Sequence, residues 1–308
     1  MEPINHHYIP RLYLKGFVSD SGKLRVFDKK YGKFKKDKET PNTVFFEKYR
    51  NTIKINGVST NTIEEFYSKL ETSFGVFFNL VREGLSNDEI LSKHGLEIIK
   101  QYLAIQFWRL PMLDNYSDQF IKDLDLKKYG NRITINENNI GDVKELSHLI
   151  QEDADFRYYF RCFYLPILTF DIKVKDDEDK YWSIHDVDPN KKGWDNILCS
   201  DNPIVIDKHL DIFRFECKFI FPLSKIKILI FNKDQKEPRN LDPSFSTRLA
   251  MVLYAQSTRY IAGANMEYIS KVISLYQQFY GPTKLDQLRN ELFSELTKSI
   301  NFNSFEKE

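Results

Sequence analysis

Segments typical of strands and segments typical of helices fall into separate blocks of this chain of 308 residues. Regular alternation of strands and helices builds a parallel sheet, whereas separate blocks are typical of the α+β class. We therefore predict an α+β fold in which a mixed or antiparallel sheet is flanked by helices, with residues 1–308 forming one large domain. The predicted blocks are an N-terminal hairpin over 8–35, a helical block over 60–160, a strand-rich block over 162–232 and C-terminal helices over 243–300.

The hairpin and the first helices are predicted from local patterns. Strand-like runs at 11–14 and 23–27 flank Asp-Ser-Gly at 20–22, which is typical of a turn. Thr62 followed by Glu65 fits a capping box, so a helix should begin there. The apolar side chains that follow recur at helical spacing and would form one buried face, at Phe66, Leu70, Phe74 and Phe77.

Similar signals place the remaining elements. A second capping box, from Ser86 to Glu89, predicts a helix that ends or bends at Pro111. The other predicted helices cover 113–126, 139–151, 243–262, 266–280 and 283–300. The predicted strands of the later block lie within 163–170, 197–199, 204–206, 219–223 and 226–231.

Composition limits the classes of function. The chain has 45 basic and 44 acidic residues, so general electrostatic attraction to nucleic acid is not implied, although a local basic groove is compatible with the sequence. Three widely spaced cysteines suggest no disulfide framework and match no zinc spacing. The N-terminus lacks the pattern of a signal peptide, and no apolar run approaches the ~20 residues that span a bilayer. We therefore expect a cytoplasmic protein without a membrane partner.

The most informative chemical feature is the histidine pair His6-His7, two of only six histidines in the chain. Histidine titrates near neutral pH and is a common metal ligand. Adjacent side chains of a strand point to opposite faces, so both rings bind one ion only if the backbone turns, and Pro10 lies close enough to shape such a turn. Either the pair is functional, or one ring is packed inside and the other is solvated.

A polar turn, Ser200 to Pro203, lies between two apolar runs. Asp201 and Asn202 could form an Asx-turn before the proline. A carboxylate at a strand end is also where many active sites place a ligand or a base. Both interpretations stay open from the residues alone.

Polar residues on two predicted helices complete the candidate site. Glu64 and Glu71 are seven residues apart and share a helix face. Carboxylates that meet His6 or His7 would bind a divalent ion, whereas a solvated stripe is the structural alternative. On the next helix Gln106 and Arg109 share a face with Tyr102. The helix dipole favours an arginine at this C-terminal end, and the same arginine could clamp a phosphate or carboxylate.

Several familiar catalytic motifs are absent from the sequence. It contains no P-loop, no GxGxxG, no HExxH, no GxSxG and no CxxC. P-loop NTPases, Rossmann dehydrogenases, zincins and α/β-hydrolases are therefore disfavoured. Aromatic and basic residues interleave over 155–161, which would suit either a clamp for a single nucleic-acid strand or a buried amphipathic helix.

Residues 5–17, from Asn5 through the histidine pair to Phe17, and 26–29, Val-Phe-Asp-Lys, resemble the opening of a bacterial family, domain of unknown function 4238. The resemblance continues through the Glu64–Glu71 segment, Arg-Leu-Pro at 109–111, Ser-Asp-Asn-Pro at 200–203 and Pro-Leu-Ser at 222–224, and so spans about residues 5–262. Cys199 stands where the family more often has Thr or Ser, which argues against a nucleophilic role. The scattered occurrence of the family in bacteria is compatible with a defence or toxin role.

Our first functional hypothesis is a hydrolytic enzyme, a nuclease-type phosphodiesterase used in anti-phage defence or as a toxin. The histidine pair would supply a general base and a metal ligand, a divalent ion would polarise the phosphate, and an arginine would stabilise the developing charge. The predicted site residues are His6, His7, Asp201 and Arg109 for catalysis, Asn202 and Gln106 for substrate binding, and His7, Glu71 and Asp201 for the metal ion.

The second hypothesis is a non-catalytic binding or sensor module that recognises a phage protein or a small ligand. A nucleotide-modifying transferase would use similar residues and is a third alternative. The implied partners are a nucleic acid or nucleotide substrate and a protein encoded in the same defence operon.

Overall fold

The computed structural model describes residues 4–36, 39–55, 57–126, 143–187, 197–207, 212–233, 241 and 243–298. Within these residues, eleven α-helices and four antiparallel sheets confirm the α+β class. The helices are α1 Arg11–Leu14, α2 Thr62–Glu83, α3 Asn87–Ile90, α4 Lys93–Arg109, α5 Asp114–Lys122, α6 Val143–Glu152, α7 Ala154–Phe163, α8 Leu165–Thr169, α9 Pro243–Gln256, α10 Met266–Phe279 and α11 Leu285–Lys298. The strands are β1 Asn5–His7, β2 Arg25–Asp28, β3 Lys33–Phe34, β4 Phe46–Lys48, β5 Ile53–Ile55, β6 Val58–Thr60, β7 Trp182–Asp186, β8 Cys199–Ser200, β9 Val205–Ile206, β10 Phe219–Ser224, β11 Lys227–Phe231 and β12 Tyr260–Gly263.

Two four-stranded sheets form the β-part of the fold. One has the strand order β7-β11-β10-β9 and the other β3-β2-β12-β8, while β1 pairs with β4 and β5 pairs with β6 in two small sheets. Every residue of β10, β11 and β12 is buried. Strands buried on both faces read as continuous apolar runs, which is why β10 and β11 were predictable from sequence.

Aromatic side chains join the helices to the first of these sheets. Tyr13 stacks on Phe221 of β10 with ring centroids 5.2 Å apart. Phe78 of α2 and Tyr102 of α4 pack at 4.7 Å. Because this cluster fixes α2 against α4, it also sets the positions of the polar residues that the two helices carry.

The start of α2 differs from the predicted capping box. Asn61, not Thr62, is the N-cap residue, and the backbone N–H of Glu65 donates to the Asn61 carbonyl at 3.0 Å. The helix ends at Gly84, whose φ of 101° is left-handed and favours glycine. The second capping box is confirmed, since Ser86 and Glu89 form both reciprocal hydrogen bonds before α3.

The predicted strand over 11–14 is wrong, because these residues form α1. The Pro10 carbonyl accepts hydrogen bonds from the backbone N–H groups of Tyr13 and Leu14, each at 3.1 Å. A helical turn lets three consecutive side chains become buried, Leu12, Tyr13 and Leu14. The hairpin instead joins β2 to β3, with a turn at Gly32, where φ is 61°.

The predicted strand over 163–170 is also wrong. The end of α7 and all of α8 occupy it, and Pro166 lies in the first turn of α8, where a missing N–H costs no helical hydrogen bond. Thr169 accepts a hydrogen bond from the Trp108 indole at 2.9 Å and so joins α8 to α4.

The predicted helix over 243–262 ends at Gln256, and its last residues belong to β12. This strand lies between β2 and β8, with Ile261 opposite Phe27 and Ser200. Residues 260–263 therefore form a strand because they pair with two segments that are distant in sequence. Strand β7 likewise forms by pairing with a distant segment, β11.

Most buried hydrophobic residues from Tyr8 to Leu296 belong to one contiguous cluster, and a smaller cluster contains Ile53, Ile63, Tyr67 and Cys162. The beginning of the predicted helix over 139–151 and the last two residues of the block over 243–300 lie outside the described residues. In the described part of the chain, no helix is both long enough and apolar enough to cross a membrane.

Candidate active site

The histidine pair lies on β1, where His6 faces Glu47 and His7 faces Phe46 across the small sheet. The two side chains take opposite faces of the strand, as the period of a strand requires. Both are buried, with relative exposures of 0% for His6 and 7% for His7. The two rings therefore have separate environments and separate roles.

His6 is part of a network that connects β1 with two helices. Its Nδ1 accepts a hydrogen bond from the backbone N–H of Asn51 at 2.8 Å. The Asn51 amide donates to Glu64 of α2 at 2.6 Å and accepts from the Tyr158 hydroxyl of α7 at 3.0 Å. This arrangement makes His6 a positioning residue rather than a group that reaches a substrate.

His7 is held in its neutral form. Burial lowers the pKa of His7 to about 4, and the positive charges of Arg11 and Arg109 add to this effect. Hydrogen bonds with the backbone of Pro41 and Asn42 act in the opposite direction. The Nε2 atom has no hydrogen-bond partner among the residues that the structure describes. A buried polar atom without a partner is costly, so this atom is a candidate for chemistry.

Arg109 ends α4 and pairs with α2. Its Nη1 donates to Glu71 Oε1 at 2.8 Å, and its guanidinium lies 4.2 Å from the centroid of the Tyr67 ring. Burial, the largest single influence, lowers the pKa of Arg109, but the charge and hydrogen bond of Glu71 together with Tyr67 and Glu64 outweigh burial and raise the pKa. Arg109 is therefore a fixed cation, and its Nε has no partner in the described structure.

Gln106 orients the strand that carries the histidines. Its side-chain amide donates to the Tyr8 carbonyl at 3.0 Å, and its Oε1 accepts from the Tyr102 hydroxyl at 3.4 Å. Together with Pro10, Tyr67, Glu71 and Arg109, it lines a cavity of about 10 Å³ between α2 and α4. Such a volume holds about one water molecule.

Asp201 follows β8 and forms a second polar group. Its carboxylate accepts four hydrogen bonds, from the backbone N–H groups of Thr258, Arg259 and Tyr260 at 2.9, 2.6 and 3.0 Å and from the Thr258 hydroxyl at 2.8 Å. Burial raises the pKa of Asp201, and these hydrogen bonds oppose that effect. All the donors belong to the segment that leads into β12, so Asp201 holds this segment against β8.

Asn202 has a similar structural role beside Asp201. Its carbonyl accepts from the Ser200 hydroxyl at 2.8 Å and from the Gln256 amide at 2.6 Å. Its own side-chain amide donates to the Gln256 carbonyl at 3.4 Å. These contacts tie the turn after β8 to the end of α9 and leave no evident group for a substrate.

The predicted site residues thus fall into two groups. His7, Glu71, Gln106 and Arg109 lie around β1, α2 and α4, whereas Asp201 and Asn202 lie between β8 and β12. Tyr8 interacts with both groups: its carbonyl accepts a hydrogen bond from Gln106, and burial and then the Asp201 charge raise the pKa of its phenol.

The residues predicted to bind a metal ion do not fit one as they are arranged. Glu71 pairs with Arg109, and both Asp201 oxygens are engaged by Thr258, Arg259 and Tyr260. Among the described residues, no group of three or more His, Cys, Asp or Glu side chains could hold a metal ion. The assignment of His7, Glu71 and Asp201 as metal ligands stays a prediction, and the cleavage step proposed for the chain does not use a metal ion.

Three contributors were missed in the sequence. Tyr67 lies three residues after Glu64 and four residues before Glu71, so all three share one helix face. Helical spacing could therefore have identified Tyr67. Asn51 and Arg11 carried no local signal. Only the tertiary structure brings them near the histidines: Asn51 through the pairing of β1 with β4, and Arg11 through the turn into α1.

The interleaved segment over 155–161 is a buried amphipathic helix. Arg157 pairs with Asp118, and Arg161 pairs with Asp114 at 2.5 Å and donates to the Leu110 carbonyl at 2.7 Å. Its arginines are thus engaged within the protein rather than arranged as a clamp for a nucleic-acid strand.

Comparisons with known proteins place the chain within one family. No curated protein and no solved structure matches it. The family model described as "Protein of unknown function (DUF4238)" matches residues 5–303, which is nearly the whole chain and extends past the 5–262 region of resemblance. The chain therefore belongs to the DUF4238 family.

Proposed function

We propose that the chain is a hydrolytic enzyme, a nuclease-type phosphodiesterase, in which His7 is the general base and Arg11 and Arg109 stabilise negative charge. The observation that carries the proposal is the buried His7 ring, whose Nε2 has no partner in the described structure and which lies in the field of two guanidinium groups. A neutral base beside fixed cations suits an anionic substrate that must lose a proton from its nucleophile.

The proposed step balances without a metal ion. His7 Nε2 takes a proton from a water or ribose hydroxyl as its oxygen forms a bond to phosphorus. The ester P–O bond then breaks, the leaving oxygen takes up a proton from solvent, and protonated His7 returns its proton to solvent, which restores the neutral base. Arg11, which is exposed, and Arg109 balance the charge that builds up on the phosphoryl oxygens.

A base with a pKa of about 4 is weak, and bound substrate would relieve part of this. Burial is the largest cause of the lowered pKa of His7, and the charges of Arg11 and Arg109 come second. A bound phosphate would neutralise the two arginines and so favour protonation of the imidazole. Substrate binding therefore raises the pKa of His7 by the part that the arginines cause, which makes the ring a stronger base.

The test uses the purified protein with labelled RNA, labelled DNA and bis(4-nitrophenyl) phosphate as substrates. We expect the wild type to cleave at least one of them and His7→Gln to lose about 100-fold or more in kcat, because glutamine keeps the size of the side chain but cannot act as a base. His185→Gln is the matched control, since His185 is partly buried, its pKa is likewise lowered to about 4, and its Nε2 is unpartnered in the described structure.

The pH profile gives a second, independent readout. The base must be deprotonated, so kcat/KM should stay level from neutral pH down to about pH 5 and fall as the pH approaches 4, the pKa of free His7. Full activity in His7→Gln, or no cleavage of any of the three substrates by the folded wild type, would overturn the proposal.

The metal prediction is tested in the same assay. We expect chelation with EDTA to leave cleavage unchanged, since Glu71 and Asp201 are engaged by protein partners. A loss that Mg²⁺ or Mn²⁺ restores would favour the metal-dependent hypothesis instead.

The defence or toxin role forms part of the proposal and is tested in cells. Expression of the wild type should slow bacterial growth and degrade RNA or DNA, whereas His7→Gln, at equal soluble level, should do neither. Intact nucleic acid with a shifted mass would point to a transferase.

A binding or sensor module is the second candidate, and a larger cavity favours it. An open groove of about 650 Å³ is lined by Ile4, Tyr49, Lys54, Asn61 and Asp155, and lies apart from Arg109. Tyr49 is 57% exposed there. Protection against phage that survives His7→Gln but is lost in Tyr49→Ala would favour this candidate over the enzyme.

A further inference from the structure

The turn between β2 and β3 presents an exposed aromatic ring. Tyr31 is 58% exposed, and its backbone N–H donates to the Asp28 carbonyl at 3.2 Å. Gly32 follows with a φ of 61°, so the turn has a defined shape. An exposed ring on a fixed turn is available for contact with a partner.

Cations surround this ring. Lys30 Nζ, Lys33 Nζ and Arg259 Cζ lie 5.6, 5.9 and 5.9 Å from the centroid of Tyr31. A second ring, Tyr260, has Arg259 at 4.6 Å and Lys35 at 5.6 Å. We call five residues the basic aromatic surface: Lys30, Tyr31, Lys33, Lys35 and Arg259. The Tyr260 ring is itself buried and supports two of these cations.

The positive charge of this surface is only partly compensated. Lys35 pairs with Glu39 at 3.2 Å and Arg259 with Asp28 at 3.1 Å. Neither Lys30 nor Lys33 forms an ion pair with a carboxylate in the described part of the chain. The whole chain has a net charge of only +1, so this is a local concentration of positive charge.

We propose that the basic aromatic surface binds single-stranded nucleic acid, with a base stacked on Tyr31 and phosphates on Lys30, Lys33 and Arg259. A ring flanked by cations matches a strand in which bases and phosphates alternate. A duplex buries the faces of its bases, so the ring favours a single strand. The inference names the substrate class of the proposed phosphodiesterase and depends on that proposal for its role, although binding is measurable by itself.

The surface is preorganised and connected to the candidate active site. Asp201 fixes the backbone of Arg259 and Tyr260 through hydrogen bonds of 2.6 and 3.0 Å. Tyr260 contacts Phe45 at 5.7 Å between ring centroids, and Phe45 contacts Tyr8 at 6.3 Å. Tyr8 directly follows His7, so one aromatic path joins the surface to the proposed base.

Fluorescence anisotropy with labelled oligonucleotides of about 12 nucleotides, a usual site size, tests the inference. Single-stranded RNA, single-stranded DNA and the corresponding duplex are compared, using His7→Gln protein so that cleavage does not interfere. We expect one or both single strands to bind more tightly than the duplex. Tyr31→Ala should weaken binding about tenfold, whereas Tyr31→Phe should keep it, because stacking needs the ring and not the hydroxyl.

The contribution of Lys30 and Lys33 is measured separately, through the salt dependence of binding. Lys30→Ala/Lys33→Ala should reduce the slope of log K against log salt by about 1.4, as expected for two lost phosphate contacts on a single strand. Lys69→Ala/Lys93→Ala is the matched control, since both of these lysines are exposed on helices and the charge change is the same.

Equal binding by Tyr31→Ala and by the parent protein, or a preference for duplex, would overturn the inference. The outcome is separable from that of the proposed function. Binding that depends on Tyr31 without any cleavage by the wild type would keep this inference and reject the phosphodiesterase. Cleavage that depends on His7 but not on Tyr31 or the lysines would keep the phosphodiesterase and reject this inference.

Discussion

At the scale of single residues, His7 is a group that the fold keeps from taking a proton. Its ring is buried beside two arginines, which lowers its pKa to about 4. The unfolded chain has no such environment, so the same ring titrates near 6.5. Between these values the unfolded state binds more protons than the folded state, and stability must therefore depend on pH.

We predict that the free energy of unfolding falls as the pH decreases from about 6.5 to about 4, with His7 contributing a loss of about 3 kcal/mol over this window. The His7 contribution is fully present above the unfolded pKa and lost as the pH falls through the folded one. Urea denaturation of the wild type and of His7→Gln at a series of pH values measures it. The variant should have a flatter profile, and exposed His94→Gln should behave as the wild type. Identical slopes for wild type and His7→Gln would contradict the assignment.

The sequence marked the histidine pair as a candidate but did not indicate its partners. The rarity of histidine marked the pair, and the alternation of a strand predicted opposite faces. The network from His6 to Asn51 and Glu64 was not predictable, since it depends on which strand pairs with β1.

At the scale of elements, Asp201 links strand β8 to strand β12 through hydrogen bonds. Its carboxylate follows β8 and accepts four hydrogen bonds from the segment that enters β12. Both strands belong to the same sheet, and β12 is the one between β2 and β8. Asp201 therefore stabilises the central pairing of that sheet.

We predict that Asp201→Asn lowers the free energy of unfolding by about 2 kcal/mol, because an amide NH₂ would face a backbone donor in a buried site. Chemical denaturation measures the change. Asp20→Asn is the control, since Asp20 is fully exposed and, among the residues that the structure describes, forms an ion pair only with Lys225, at 3.2 Å. A variant as stable as the wild type would show that the four hydrogen bonds contribute little. If Asp201 acts as a catalytic group instead, activity should fall without any loss of stability.

Element prediction from sequence succeeded where the pattern was long. The face of α2 with Phe74 and Phe77 and the buried runs of β10 and β11 are examples. It failed for 11–14 and 163–170, where a few apolar residues fit a strand and a helix equally well. In both places a proline at the start of the helix, Pro10 as the N-cap residue of α1 and Pro166 in the first turn of α8, and buried neighbours favoured the helix.

At the scale of the whole molecule, stability should be unevenly distributed. Strands β10, β11 and β12 each lie between two other strands and are entirely buried. The β5–β6 hairpin has no third strand, and Val58 and Ser59 are exposed. Regions with few buried contacts open locally without global unfolding.

We predict that backbone amides of β10, β11 and β12 exchange with solvent only through global unfolding, and that those of the β5–β6 hairpin exchange at least about 100-fold faster. Hydrogen exchange followed by mass spectrometry measures both in one experiment. Added denaturant should accelerate the three buried strands and leave the hairpin rate nearly constant. Equal protection of the hairpin would show that it is held by contacts beyond its own pairing.

The sequence by itself determined the fold class, the long helices, the most apolar strands and the residues of chemical interest, because these follow from composition and from periodicity within about 20 residues. Only the tertiary structure decided that 260–263 is a central strand, that Asp201 lies against the segment that leads into that strand, and that Arg109 pairs with Glu71. The physical reason is that each of these depends on contacts between residues far apart in the chain. The free energy of such contacts belongs to the packed molecule and leaves no local pattern.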